Sequence, residues 1–135
     1  SAYTGTNDTS ALGGNANVTI DFDTEAFDVG SNFASNTFTA PVTGKYRLSA
    51  SICMSGIDSG HTSMQWYIAT SNRSYEQFIG PYSFRDQANG LLTVTMCVLA
   101  DMDAGDTATV QALINGTQTI NTIGTGRTWF QGELT

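Results

Sequence analysis

The sequence predicts a single all-β domain, a sandwich or barrel of antiparallel sheets, and three observations carry that prediction. Apolar residues recur at every second position in run after run, which is the mark of strands with one buried face. Clusters of Gly, Asn, Asp and Ser interrupt those runs at short intervals. Helical spacing of apolar residues is nearly absent, and the strong helix formers Leu, Glu, Lys and Arg are scarce. At 135 residues the chain fits one domain spanning 1–135, long enough to bury a core without staples.

The runs follow in chain order. Residues 17–23 (NVTIDFD) alternate Val18, Ile20 and Phe22. Residues 45–54 (KYRLSASICM) set Tyr46, Leu48, Ala50 and Ile52 against Arg47, Ser49, Ser51 and Cys53. Residues 63–69 (SMQWYIA) put Met64, Trp66 and Ile68 on one face and Tyr67 on the other. Residues 91–100 (LLTVTMCVLA) oppose Leu92, Val94, Met96 and Val98 to Leu91, Thr93, Thr95 and Cys97. Residues 107–114 give Ala108, Val110, Ala112 and Ile114, and residues 127–135 give Phe130, Gly132 and Leu134 against Trp129, Gln131 and Glu133. One apolar face per strand means antiparallel sheets covered on one side. Turn signals fall at 12–15, 28–32, 70–73, 86–90, 103–106, 115–117 and 124–127.

The stretch FTAPVTGKY, residues 38–46, predicts a corner. Pro41 cannot donate to a ladder and belongs at a strand junction. Gly44 is free to take a positive φ. Phe38, Ala40 and Val42 share parity with Tyr46 and Leu48, so the apolar side stays inward through the bend. Such a strand leaves one sheet and enters the facing one.

F-x-A-P-V-x-G-x-Y resembles the signature of the globular head of complement C1q, whose jelly roll is shared with the tumour necrosis factor superfamily. Further pieces match in order. They are SAY at the start, Phe22 with Gly30 and Phe33, the turn at Gly105 and Asp106 in DAGDTATVQA, and Phe130, Gly132 and Leu134 in FQGEL. The resemblance spans nearly the whole chain. It departs at Leu48, where the family prefers Phe, at Glu133, and in a long segment from Asp86 to Asp106. No collagen-like stem is present. These departures fit a distant, viral or bacterial member. The resemblance implies a two-sheet antiparallel jelly-roll sandwich of about ten strands that assembles as a homotrimer. In that fold the strands at 45–54 and 91–100 are neighbours. Their outer faces would bring together Ser49, Ser51, Cys53, Thr93, Thr95 and Cys97, with Trp129 as an aromatic anchor. A solvated face usually carries Lys and Glu; small neutral residues let another copy approach. The two cysteines read either as small buried hydrophobes or as a cross-strand bridge.

Composition narrows the partners. The formal net charge is −7 with five Lys plus Arg, so nucleic acid and anionic lipid are repelled. No apolar run approaches a membrane span. Low charge with abundant Ser, Thr, Asn and Gly fits an extracellular or virion surface. Catalysis is not expected. His61, the one histidine, is read as a solvated loop residue beside Asp58 and Ser59, without a strained nucleophile turn. No cofactor is implied except calcium, which hard loop oxygens suit. Asp86 resembles the calcium-loop residue of some family members, and Asp101 with Asp103 forms a second acidic pair. Tyr67, Tyr75, Tyr82 and Arg85 are the candidate ligand contacts, combining flat rings with directional hydrogen bonds; Trp66 has core parity. The expected function is a trimeric recognition head for a surface glycan or protein receptor, at a viral fibre tip or on an extracellular adhesion protein. The alternative is a structural virion protein that decorates or caps.

Overall fold

The computed structural model describes residues 1–80, 91–116 and 119–135. Among them thirteen strands form: β1 (Ala2–Tyr3), β2 (Asp8–Gly13), β3 (Asn17–Thr19), β4 (Thr24–Glu25), β5 (Phe33–Ala34), β6 (Thr37–Thr39), β7 (Gly44–Ser55), β8 (His61–Thr70), β9 (Ser74–Ile79), β10 (Leu92–Met102), β11 (Thr107–Gly116), β12 (Thr119–Thr122) and β13 (Trp129–Leu134). The longest alternating runs become the longest strands. Short β4 and β5, and β2, β9 and β12, lie where the sequence shows no clean alternation.

Two antiparallel sheets result. The spine of the first is β7, paired along its length with β10 from Met54↔Leu92 to Gly44↔Met102. The other edge of β7 is shared by β13, with Ser51 opposite Trp129, and by β12. The sheet continues through β1 and β4 beyond β13, and through β2 beyond β12. In the second sheet β11 pairs with β8 on one side and with β6 and β3 on the other, and β9 edges β8.

The inward residues of the facing sheets close the core. Tyr46, Leu48, Ala50, Ile52 and Met54 meet Met64, Trp66, Ile68, Val110 and Ile114, all buried. Each large apolar side chain so buried contributes roughly 1.5–3 kcal/mol. At one end Phe22, Phe33 and Phe130 pack with centroids 5.9–6.4 Å apart, and Phe38 meets Tyr46 at 5.6 Å. Gly132 faces this cluster. A Cβ there would lie 3.1 Å from Leu48 and 3.2 Å from Phe38, so a side chain would fit only if these neighbours gave way by a few tenths of an ångström.

The corner forms as expected: β6 lies in one sheet and β7 in the other. Two details differ. Val42 is 48% exposed rather than inward, because the Tyr46 hydroxyl takes its backbone and turns the side chain out. Gly44 does not have a positive φ. A Cβ there would lie 2.7 Å from Leu134 Cδ1, so a larger residue would displace the end of that side chain. Leu134 itself is 52% exposed, so core parity fades at the end of β13.

Candidate functional site

The outer face of the first sheet is built from three adjacent antiparallel strands, β10, β7 and β13. Register places Cys97, Ser49 and Gln131 in one row and Thr95, Ser51 and Trp129 in the next. Cys53 lies opposite Thr93. The row of Leu99, Arg47 and Glu133 bounds the neutral strip, and Arg47 Nη1 meets Glu133 Oε1 at 2.9 Å. Both partners of this ion pair are mostly exposed, so it adds little stability.

Ser49, Ser51 and Cys53 are already buried within the single chain, whereas Thr93, Thr95 and Cys97 are exposed and Trp129 is half-buried. The small residues of β7 form a trough between taller neighbours. Their polar atoms are paired across strands: Thr95 Oγ1 donates to Ser51 Oγ at 3.4 Å, and the Ser49 hydroxyl donates to Cys97 Sγ at 3.3 Å. A face whose hydroxyls satisfy one another can be covered at a small desolvation cost. Tyr3, opposite Trp129 on β1, extends the row with a second half-buried ring. Sequence reading missed it, although its parity relative to buried Ala2 carries the signal.

The cysteines are both free. They share a face, but Cys53 pairs in register with Thr93 and Cys97 with Ser49. Four positions along a strand separate them by about 13 Å, too far for a bridge. Cys53 is anchored otherwise: Thr128 Oγ1 accepts its N–H at 3.0 Å.

Of the candidate ligand contacts, Tyr82 and Arg85 lie outside the described residues, as does Asp86. Tyr67 and Tyr75 belong to strands, not loops. Tyr67 faces outward, donates to Gln65 Oε1, and has its phenol pKa raised by burial and by the Glu76 charge. Tyr75 is opposite Ile68 on the inward side of β9, with its hydroxyl donating to Leu99 O at 3.3 Å and Arg73 6.0 Å from its ring. The two tyrosines therefore occupy opposite faces of one sheet.

Asp101 and Asp103 are exposed. Asp103 Oδ1 accepts from Thr43 at 3.3 Å. The turn at 103–106 is organised by Asp106, whose Oδ2 accepts from Asp103 N and from Asn72, each at 2.8 Å. Among the described residues no three acidic, His or Cys side chains gather into a metal site.

His61 corrects the sequence reading: it is fully buried. The register shifts at Asn115/Gly116, and this bulge turns odd-numbered His61 toward the same core as even-numbered Met64. Its Nδ1 accepts from Asp58 N at 3.1 Å. Among the described residues no helix is long and apolar enough to cross a membrane.

No family model matches the chain, and no curated protein matches it. A solved structure does: the globular domain of the zebrafish complement 1qA protein superposes with a TM-score of 0.57 at 15% identity, over 99% of this chain and 97% of that one. The chain has the jelly-roll sandwich fold of the C1q globular head.

Proposed function

We propose that the chain is a non-enzymatic, homotrimeric recognition head of an extracellular or virion surface. Its outer strip meets two further copies about a shared axis, and its loops are presented to a surface glycan or protein receptor. The observation that carries this reading is the strip itself, a neutral face of Ser49, Ser51, Cys53, Thr93, Thr95 and Cys97, with Ser49 paired to Cys97 and Thr95 to Ser51, beside the half-buried rings of Trp129 and Tyr3. Globular heads of the C1q type are typically trimeric and non-enzymatic. Three weak sites on one axis gain avidity without any new contact. The setting fits a viral fibre tip or an adhesion protein.

Calcium is the metal proposed for this head. It would rest on carboxylates contributed by several chains, and a melting temperature that falls in EGTA and recovers with added calcium is its test. The recognition role is tested by binding of the full chain to a glycan array and to host-cell surfaces. Saturable binding supports it. Blank arrays and cells would leave a structural trimer that decorates or caps.

A further inference from the structure

The second sheet also has an outer face, built by four adjacent strands, β9, β8, β11 and β3. Register sets its side chains in rows. One row is Phe78, Gln65, Leu113 and Asn17, and the next is Glu76, Tyr67, Gln111 and Thr19. The alternate residues Trp66, Ile68, Val110 and Ala112 are buried, so these rows point away from the core. Phe78 is 59% exposed, and Tyr67 and Leu113 are half-buried. Three strand spacings make each row roughly 14 Å long.

The polar side chains of this face hold one another. Asn17 Nδ2 donates to Gln111 Oε1 at 2.9 Å, and Gln111 Nε2 donates to Thr109 Oγ1 at 3.0 Å. The Tyr67 hydroxyl donates to Gln65 Oε1. A ring and three carboxamides are thus positioned before any ligand arrives. A carboxamide has two N–H groups and two lone pairs, and these bonds occupy only part of that capacity. Glu76 is the one charged residue in the two rows, although a solvated face usually carries several charges of both signs.

We propose that this face binds a neutral oligosaccharide lying along the rows, with sugar rings against Phe78 and Tyr67 and sugar hydroxyls on Gln65, Gln111 and Asn17. A hydroxyl both donates and accepts, as a carboxamide does. The C–H face of a sugar ring covers an aromatic ring while its hydroxyls stay at the edge. An apolar protein surface laid here would leave the remaining carboxamide groups unpaired, each at a cost. Anionic ligands are disfavoured, because the rows hold no cation and Glu76 adds its charge to a chain of net charge −7. The proposal rests on the recognition reading for its glycan, but it names the sugar class and moves the contact from the loops to a sheet face. It does not need the trimer, since the strip lies on the other sheet.

The test is an NMR titration of the isotope-labelled full chain, read at its backbone amides and side-chain carboxamides. Neutral trisaccharides of glucose, mannose and galactose are added in turn to millimolar concentration, and sialyllactose supplies a similar size with a carboxylate. At least one neutral trisaccharide is expected to shift the Gln65, Gln111 and Asn17 carboxamide signals and to saturate. Sialyllactose should leave them in place. Phe78→Ala and Tyr67→Ala should each lower the affinity about tenfold, with the amide signals of β7 and β13 unmoved. Phe78 is exposed, so its variant folds even if loss of the half-buried Tyr67 ring does not permit it. Thr95→Arg, on the other sheet, should bind as the native chain does. No response to any neutral trisaccharide overturns the proposal, as do equal shifts with sialyllactose or undiminished binding in Phe78→Ala. A positive glycan array with these carboxamide signals unmoved overturns the sheet-face site alone and leaves the recognition head standing.

Discussion

The Tyr46 hydroxyl holds both polar groups of the Val42 backbone, donating to Val42 O at 2.7 Å and accepting from Val42 N at 3.3 Å. The ring of Tyr46 is buried against Phe38. One side chain therefore fastens the start of β7 to the loop by which the chain crosses from one sheet to the other. Tyr46→Phe keeps the ring and leaves these two backbone groups without their partner. The expected loss is about 1–3 kcal/mol, read as a lower urea midpoint with an unchanged slope.

A second fastening lies at the opposite end of β7. Thr128 is fully buried, and its hydroxyl accepts from Cys53 N at 3.0 Å while donating to Ile123 O at 2.8 Å. Thr128→Val matches the shape and strips the hydroxyl. It should destabilise by about 1–3 kcal/mol, because the Cys53 N–H stays buried and loses its acceptor. Thr128→Ser should recover most of that in the same denaturation series.

The outer strip predicts a change of assembly without a change of fold. Thr95 is exposed on β10, where Arg does not disturb the core. Thr95→Arg should bring like charges together about the axis of the proposed trimer and leave single chains, with the far-ultraviolet circular dichroism spectrum unchanged. Light-scattering mass measures it.

Acid should weaken the turn before β5. The Asp28 carboxylate accepts from Asn32 N at 2.9 Å and from Phe33 N at 2.8 Å. The Asn32 N–H is the main cause holding its pKa below the ordinary aspartate value. A folded pKa below the unfolded one means the contribution is complete above the unfolded value, 3.8, and is lost as pH falls through the folded one. Asp28→Asn should flatten the fall of the urea midpoint below about pH 4. The same slope in wild type and variant would remove Asp28 from the account of acid unfolding.

The central strands and the crossover were legible because burial on one face writes a period of two into the chain. Residues 45–54, 91–100 and 107–114 became β7, β10 and β11 with the expected inward residues. The corner was read correctly in its topology but not in its details. Whether Val42 turns outward depends on a hydrogen bond from Tyr46, and the crowding at Gly44 comes from Leu134, ninety residues away in sequence. His61 was misplaced because it was read as a solvated loop residue, whereas it opens β8 and a bulge opposite Gly116, which no local signal marks, turns it inward. Tyr75 looked like a loop residue because β9 is an edge strand, exposed enough to lack alternation. The Nε1–H of Trp66, unpartnered among the described residues, was beyond reach of pattern, since parity assigns a side chain to the core without counting its hydrogen bonds.

The mass of the full chain in solution decides whether the strip joins three copies. Sedimentation equilibrium at micromolar concentration should give about three times the 14.4 kDa chain mass, with Trp129 fluorescence blue-shifted relative to the Thr95→Arg variant. A species of 14.4 kDa that stays single at high concentration would show that Ser49, Ser51 and Thr95 face no partner copy.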